Sequence, residues 1–338
     1  MPNNSSPISA ADTPGGFDLL TPHVIISAVE AGFGLQLDGS LTPYNSYINR
    51  VYEVKDSDGQ PWMVKFYRPN RWSESAILEE HRFIDDCLTL EIPTVAPCKD
   101  QDGDTLLHVA VDGQDRGQID YSFAVFPKKA GRSFDAENDD DWLRLGSLAA
   151  RLHLAGQKAT AASRPVCLPE QVSADCLHAL RQNNCVHPDH SQEFFDLTEQ
   201  VLRTIEPLFT SIPLQRIHGD FHRGNILDRA DEGLLLIDFD DMMTGPAVQD
   251  IWLLLPDRID NCPREFNLIA EGYEQFLPFD WSWRRLVEPL RAMRMIYYLA
   301  WQARQLHDQR FRRDYPDWGS GAFWSKEIED LREQAQFL

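Results

Sequence analysis

The residues best suited to chemistry lie in one stretch, 217–241, which reads IHGDFHRGNILDRADEGLLLIDFDD. Phosphoryl transfer from a nucleotide needs a carboxylate that accepts the proton of the attacking hydroxyl, and oxygen ligands that hold Mg²⁺ against the phosphates. Asp220 has the residue type for the first task, and Asn225 and Asp238 have the types for the second. Any one of these residues alone is better read as part of a solvated loop, but the three together predict a phosphoryl-transfer site.

The elements around these residues must bring them together. The apolar run 234–237 can form a buried strand that carries Asp238 to its end, where functional sites usually lie. Two further acids, Asp240 and Asp241, follow at once, and the sequence leaves their role open. His218 and His222 lie four residues apart but lack the Glu of H-E-x-x-H, so we expect no zinc site there.

The order His-x-Asp-x4-Asn, followed by a strand that ends in Asp, is that of a kinase catalytic loop. HGDFHRGNIL with LLIDFDD resembles the aminoglycoside phosphotransferase and choline kinase branch of the protein-kinase-like fold, in which Gly replaces the Arg of His-Arg-Asp. Further blocks resemble the bacterial stress response kinase A family: LTPYNSYINRVYEV (41–54), MVKFYRPNRW (63–72), LEEHRF (78–83), FAVFP (123–127), GPAVQDIWLLL (245–255) and EPLRAMRMIYYLAW (288–301).

The resemblance implies a two-lobe, kinase-like α+β fold and ATP- and Mg²⁺-dependent phosphorylation of Ser or Thr in proteins, as part of a bacterial stress response. We expect a small β-rich lobe at 18–126 that binds the nucleotide, and a larger helical lobe at 127–338 with the catalytic and substrate-binding groups. Residues 1–17 are rich in Ser, Asn, Pro and Gly and are expected to be disordered.

Composition narrows the possible partners. The 338 residues carry a formal net charge of −21, which argues against binding of nucleic acid or anionic membranes and suits cationic ligands. The six cysteines show no C-x-x-C spacing and are read as reduced thiols. No run approaches the length of a membrane helix, and the N-terminus lacks the order of a signal peptide. We therefore expect a cytoplasmic protein, and a monomer.

Lys65 and a partner on the following helix form a second candidate pair. Residues 47–54 and 61–67 alternate like the two strands of a hairpin, and Lys65 lies in the second of them. A helix should begin after Ser73 and run to about Leu90, with Glu80 near the centre of its apolar face and Glu79 toward the edge. A carboxylate on that face must be paired. We therefore predict the kinase Lys–Glu pair from Lys65 and Glu80.

The family pattern implies the remaining contacts of the site. Ser46, beside Asn45 in PYNS, lies where kinases have the loop over the phosphates, although spacing alone equally allows an ordinary turn. The strand that ends at Phe126 and Pro127 would link the lobes and bind adenine through its backbone; a plain core strand is the alternative. Asp250, and His218 at the start of the loop, are expected to support the catalytic loop without touching the substrate.

Three departures from ordinary protein kinases leave the acceptor open. Asp238 is followed by Phe-Asp instead of Phe-Gly, the Arg of His-Arg-Asp is absent, and no Ala-Pro-Glu follows the short interval to Asp250. Control by phosphorylation of an activation loop is therefore not expected. A kinase of small cationic alcohols and a nucleotide-binding pseudokinase remain alternatives. The C-terminal run 283–307 reads as one long helix that Pro289 would kink.

Overall fold

A computed structural model of the chain describes residues 16–44, 46, 48–113, 117–306 and 308–338, without the side chains of Asp231 and Gln309. The predicted N-terminal tail lies outside the described residues except for Gly16 and Phe17, and Asn45 also lies outside them. Contacts divide the described chain into two compact units, one formed by Phe17–Cys167 and Ile212–Val287, the other by Leu168–Ser211 and Glu288–Leu338. The predicted boundary between lobes after residue 126 stays a prediction.

An antiparallel five-stranded sheet forms the first part of the larger unit, with strand order β1-β2-β3-β5-β4. The strands are β1 (Leu37–Pro43), β2 (Arg50–Asp56), β3 (Pro61–Phe66), β4 (Leu107–Asp112) and β5 (Gln118–Pro127). Alternating side chains of β2, β3 and β5 point to one side, where Val54, Phe66 and Phe123 are almost fully buried. The predicted hairpin of β2 and β3 is present, with Lys65 opposite Val51.

Two helices pack on this sheet. Helix α1 (Pro22–Phe33) contributes Ile25 and Val29 to the sheet core and ends at Gly34, whose φ of 64° suits glycine. Helix α2 (Glu74–Thr89) begins where the sequence predicts, because the Ser73 hydroxyl accepts a hydrogen bond of 3.2 Å from the Ala76 N–H.

Helices α3 (Asp139–Gly156) and α8 (Pro263–Glu274) cross closely because each has a glycine at the crossing. A Cβ atom at Gly146 would lie 2.0 Å from the Ile269 carbonyl oxygen, and one at Gly272 would lie 2.0 Å from the Leu143 carbonyl oxygen. Neither position can therefore take a larger residue without moving the helices apart. This pair forms the base on which the candidate catalytic loop rests.

Short strands flank the candidate catalytic loop. Strand β7 (Gln215–Ile217) pairs with β10 (Met243–Gly245), and β6 (Arg132–Ser133), β8 (Ile226–Asp228) and β9 (Leu234–Leu236) form a small sheet. Helix α7 (Val248–Trp252) follows β10. The predicted buried strand before Asp238 is thus β9, whose three residues are all buried.

The smaller unit is helical. Its helices are α4 (Pro169–Val172), α5 (His178–Gln182), α6 (Pro188–Ile205), α9 (Val287–Ala303), α10 (Gln309–Asp314) and α11 (Gly321–Gln334), and α9 starts on the last residue of the larger unit. Phe194 and Trp324 pack edge to face in its core, with ring centroids 4.9 Å apart. The predicted helix start at residue 283 is wrong. Because α9 begins at Val287, Pro289 lies in the first turn, where its missing N–H costs no helical hydrogen bond.

No disulfide bond joins any of the six cysteines, all of which lie in the described part of the chain. Among the described residues, none of the helices combines the length and the apolar character that crossing a bilayer requires.

Candidate active site

Asp250 holds the start of the candidate catalytic loop. Its carboxylate is fully buried and accepts the backbone N–H groups of His218 at 2.8 Å and Gly219 at 2.9 Å. The His153 ring from α3 lies 3.3 Å from the same carboxylate, and its other nitrogen meets the Tyr273 hydroxyl of α8 at 2.9 Å. Asp250 therefore holds the backbone at the start of the loop and connects it to helices α3 and α8. This is the kind of supporting contact that the sequence predicts for Asp250.

The backbone at position 219 requires the glycine that stands where protein kinases usually carry arginine. Its φ is +79°, and a Cβ atom there would lie 2.2 Å from the Asp241 carbonyl oxygen. Only a residue without a side chain can adopt this backbone and let the two segments touch. The pairing of β7 with β10 brings the segments together, so the loop after β7 lies against the turn after β9.

Asp220 and Asn225 meet inside the loop. The Asn225 side-chain N–H donates to the Asp220 backbone carbonyl at 2.9 Å and to its Oδ2 at 3.2 Å. The His222 Nε2 also lies 3.2 Å from Asp220 Oδ2. The Asp220 side chain keeps 22% of its surface exposed, so a hydroxyl can reach it.

Asp238 stands at the edge of the same site. Its backbone is left-handed, with φ 61° and ψ 69°, and its side chain is 57% exposed. Aspartate tolerates this conformation better than most residues, at a cost that is often seen at functional sites. The buried His218 ring supports the strained position, since its Nε2 lies 3.0 Å from the Ile237 carbonyl and its ring packs 4.7 Å from the Phe239 ring.

Lys65 and Glu80 form the ion pair that helix periodicity predicts. Lys65 Nζ lies 3.2 Å from Glu80 Oε1, and both side chains are nearly buried, although lysine in a strand is usually solvent-facing. The same ammonium lies 3.0 Å from Asp240 Oδ1 and 3.7 Å from Asp238 Oδ1. Lys65 thus faces three carboxylates, two of which follow β9.

Asp240 is the centre of a buried group of charges that the sequence left unassigned. Besides Lys65, its carboxylate contacts Arg71 Nη1 at 2.9 Å and the Asn49 side-chain N–H at 3.0 Å. Arg71 also binds Asp241 at 2.6 Å. We call this group, with Glu80 and Arg164, the Asp240 cluster; its members are Asn49, Lys65, Arg71, Glu80, Arg164, Asp240 and Asp241.

Arg164 ties helix α2 to the turn after β9. Its guanidinium donates to the Ala76 carbonyl at 2.8 Å, to Glu80 Oε2 at 2.9 Å and to the Asp240 carbonyl at 2.6 Å. The side chain is fully buried, and the guanidinium stacks 4.6 Å from the Trp72 ring. Nothing in the sequence around Arg164 indicates this role, because the residue lies in a loop without helical or strand periodicity.

The pKa directions of Lys65 and Asp240 favour the ionised form of both groups. Burial alone would lower the pKa of Lys65, but Asp240 and Glu80 outweigh it and the pKa lies well above its usual value. Burial alone would raise the pKa of Asp240, yet Arg71 and Lys65 hold that pKa well below its usual range. Desolvation therefore opposes the charges, and the close opposite partners decide the outcome.

Glu79 differs from the sequence expectation. Instead of lying at the edge of the apolar face, it is as buried as Lys65, at 8% exposure. Its carboxylate accepts the backbone N–H groups of Ala162 at 2.9 Å and Ser163 at 3.0 Å. Both acids of α2 are therefore buried and paired, but only Glu80 contacts Lys65.

The predicted nucleotide contacts lie at the sheet. Ser46 is half-buried, and its carbonyl accepts a hydrogen bond of 3.2 Å from Arg50. Phe126 pairs with Met63 in the register of β3 and β5, and its ring packs against the His81 ring with centroids 6.4 Å apart. Their contacts with nucleotide stay predictions.

The donor set of this corner fits a hard divalent cation. Burial raises the pKa of Asp241; Arg71 opposes this, and the neighbouring carboxylates of Asp240, Asp220 and Asp238 raise it further. Such crowding of carboxylates favours a bound cation, and carboxylate and amide oxygens suit Mg²⁺. Within the described residues no group of three or more His, Cys, Asp or Glu side chains is placed so that it could hold a metal ion. A metal at Asp238 and Asn225 would need further oxygens, as Mg²⁺ sites commonly draw from phosphates and water.

Comparisons with known proteins agree with this geometry. A model of the phosphotransferase enzyme family matches residues 40–287. Stress response kinase A of Escherichia coli is 36% identical over 324 residues, covering 95% of this chain and 94% of the relative. The serine/threonine protein kinase RdoA of Salmonella typhimurium is 37% identical over 331 residues, with the same shares covered.

Solved structures share the fold at low identity. Amicoumacin kinase hAmiN, in complex with AMP-PNP, Ca²⁺ and Ami, is similar with a TM-score of 0.72 at 17% identity, over 93% of this chain and 92% of that one. The microcompartment-associated aminopropanol kinase has a TM-score of 0.62 at 20% identity, over 93% and 95%. The predicted two-lobe, kinase-like α+β fold is confirmed.

The chain belongs to the phosphotransferase enzyme family, in the group of the stress response kinases A. It is an enzyme that transfers a phosphoryl group to a hydroxyl.

Proposed function

We propose that the chain is a serine/threonine protein kinase that uses ATP and Mg²⁺ and acts in a bacterial stress response. The observation that carries the proposal is the long, near-complete match to relatives named as stress response and serine/threonine kinases. The site supports it because one corner of the larger unit holds a carboxylate for the hydroxyl, oxygen ligands for a metal and a lysine for phosphates. These are the parts that phosphoryl transfer requires.

On the acceptor side, Asp220 orients the incoming hydroxyl and takes its proton. The bond from Asn225 Nδ2 to Asp220 Oδ2 supports this role, because it holds the carboxylate while leaving part of the side chain accessible. Transfer needs little covalent chemistry from the protein, so positioning and charge neutralisation supply most of the rate.

On the nucleotide side, Lys65 binds the α- and β-phosphates, Glu80 holds Lys65, and Ser46 and the backbone at Phe126 contact the rest of the nucleotide. The 3.2 Å pair of Lys65 and Glu80 supports the first two roles. In this arrangement Lys65 shares its charge between carboxylates and phosphates.

Asp238 and Asn225 would hold the metal through carboxylate and amide oxygens. When bound, Mg²⁺ supplies positive charge that neutralises the phosphates during transfer. The exposure of the Asp238 side chain supports the proposal, since the carboxylate is open to a ligand, whereas the nearly buried Asp240 carboxylate is occupied by Lys65, Arg71 and Asn49.

The Asp240 cluster supports a site that needs no activating phosphate. In kinases with His-Arg-Asp, the arginine of this motif binds the phosphate of a phosphorylated activation loop. Here Arg71 and Arg164 are already bound to the turn after β9. The turn is therefore held by charges of the unmodified chain. A phosphate on an activation segment would therefore find the arginines of this cluster already engaged by carboxylate and carbonyl oxygens.

The acceptor class is tested with γ-labelled ATP and Mg²⁺, once with proteins of a cell extract and once with its small metabolites. The proposal expects label on Ser and Thr of proteins. Label only in the metabolites would establish the alternative, a small-molecule kinase, which the net charge of −21 favours for cationic alcohols. Absence of label from both fractions would leave a nucleotide-binding pseudokinase.

We also propose that the protein is a cytoplasmic monomer. Six cysteines without a disulfide support a reducing compartment. Light scattering of the protein as it elutes from a size-exclusion column should give the mass of one chain, 38.8 kDa. Twice that mass would exclude the monomer.

A further inference from the structure

His222, two residues after Asp220, has a defined proton position. Its Nδ1 lies 3.0 Å from the Gly224 backbone nitrogen, whose N–H points to it. A ring nitrogen that accepts a hydrogen bond carries a lone pair and no proton. In a neutral imidazole the proton is then on the other nitrogen, so His222 is the Nε2–H tautomer.

The Nε2 atom of His222 lies next to the Asp220 carboxylate. The distance from Nε2 to Asp220 Oδ2 is 3.2 Å, and Asn225 Nδ2 donates to the same oxygen at 3.2 Å. Asn225 Nδ2 and His222 Nε2 thus both lie against the same carboxylate oxygen. A second contact on that oxygen restricts rotation of the carboxylate about its Cβ–Cγ bond.

Gly224 makes this arrangement possible. A Cβ atom at this position would lie 2.8 Å from Cε1 and 2.9 Å from Nδ1 of the His222 ring. The ring therefore lies directly on the backbone of the 3₁₀ turn Arg223–Asn225, and any side chain at Gly224 would push it away. The same turn also carries Asn225, so both groups next to the Asp220 carboxylate come from one short stretch of backbone, with His222 at the N-cap of the turn.

We propose that His222 is a positioning residue for phosphoryl transfer, which aims the Asp220 carboxylate through its Nε2–H. The inference rests on the proposed function, in which Asp220 receives the proton of the acceptor hydroxyl. In this role His222 acts only through Asp220. Its loss acts on the transfer step and leaves nucleotide binding unchanged.

Two substitutions separate this role from simple capping of the turn. In His222→Asn the side-chain oxygen can still accept the Gly224 N–H, but the shorter side chain does not reach Asp220. In His222→Gln the terminal amide can donate to Asp220 from near the place of Nε2. Capping alone predicts that Asn is the better replacement, whereas positioning predicts that Gln is.

The experiment measures kcat and the KM for ATP with γ-labelled ATP, using the acceptor fraction that takes up label. His222→Asn should lower kcat roughly tenfold to a hundredfold, the worth of one hydrogen bond to a charged group, with the KM for ATP unchanged. His222→Gln should recover most of the loss. His23→Asn, at an exposed histidine of α1, is the control for loss of an imidazole and should behave as wild type.

A second measurement does not depend on activity. Long-range ¹⁵N–¹H correlation spectra of the histidine rings should show the Nε2–H tautomer for the signal that disappears in His222→Asn. The Nδ1–H pattern at that signal would overturn the proposal. So would a His222→Asn enzyme with wild-type kcat, or equal losses in His222→Asn and His222→Gln.

Asp220→Asn separates failure of this inference from failure of the proposed function. If Asp220→Asn abolishes transfer and His222→Asn does not slow it, only the role of His222 is refuted. If Asp220→Asn also turns over at the wild-type rate, the assignment of Asp220 itself fails.

Discussion

Removing the carboxylate of Glu80 should damage the site far more than removing that of its neighbour Glu79, at a similar cost in stability. Glu80 joins Lys65 at 3.2 Å and Arg164 at 2.9 Å, and all three side chains are nearly or fully buried. Breaking a buried pair by removing one partner typically costs about 3–5 kcal/mol. Because Lys65 keeps Asp240 as a partner at 3.0 Å, we expect the lower end, about 3 kcal/mol, for Glu80→Gln.

Glu79→Gln provides the matched control. Its carboxylate caps the backbone N–H groups of Ala162 and Ser163, and Gln keeps one oxygen to accept them. The contact of the second oxygen with the Ser163 N–H is lost, which should cost about 1–3 kcal/mol. The two variants therefore differ little in stability, while only Glu80→Gln releases Lys65.

Activity should separate them. Without Glu80, Lys65 is drawn toward Asp240, and a displacement of about 1 Å can cost roughly 10²-fold in rate. Adding Lys65→Met to Glu80→Gln should cost little more than the worse single change, because residues that act as one unit are not additive. Turnover and urea denaturation of the four variants decide the matter. Additive losses at Lys65 and Glu80, or a greater loss of turnover in Glu79→Gln, would refute the reasoning.

Two further predictions concern the metal and pH. Asp238→Asn should weaken Mg²⁺·ATP binding more than binding of metal-free ATP, and a titration with the wild-type Mg²⁺ dependence would exclude a metal role. Burial first, and then Lys65 and Arg164, lower the pKa of His81 from 6.5 to about 3. Below pH 6.5 the unfolded chain binds a proton that the folded chain does not, so stability falls by about 2 kcal/mol at pH 5, at 1.36 kcal/mol per unit. His81→Gln cannot titrate and should lose that part of the pH dependence in urea denaturation; an unchanged slope would contradict it.

The sequence predicts the parts of the candidate site where chemistry and periodicity coincide. The spacing of Asp220, Asn225 and Asp238 predicts a phosphoryl-transfer loop, and the roles of these residues stay predictions. The helical spacing of α2 placed Glu80 on the inner face, where it meets Lys65. These signals are local, because a strand or a helix imposes its own period on its side chains.

The cations of the Asp240 cluster were not predictable in this way. Arg71 and Arg164 lie in loops, and a buried arginine in a loop looks like a surface arginine in the sequence. The sequence does not show that Asp240 is buried. In the structure the buried acids Glu80 and Asp240 exceed what Lys65 alone can neutralise, so further cations must lie near. Which arginines supply them depends on how the chain folds over 84 residues between Glu80 and Arg164.

The start of helix α9 was predicted wrongly for a different reason. The apolar stripe of 283–307 continues through a 3₁₀ segment, Trp281–Leu286, so the period does not reveal that α9 begins only at Val287. Pro289 was the better signal, because proline is favoured in a first turn and disfavoured inside a helix.

The most direct test of the central claim compares single-turnover transfer from γ-labelled ATP by the wild type and by Asp220→Asn, with ATP affinity measured on the same samples. If Asp220 accepts the hydroxyl proton, transfer should fall roughly 10²–10⁴-fold while the affinity for ATP and the thermal midpoint stay near wild type. Transfer at the wild-type rate in Asp220→Asn would contradict the assignment of this loop as the catalytic centre.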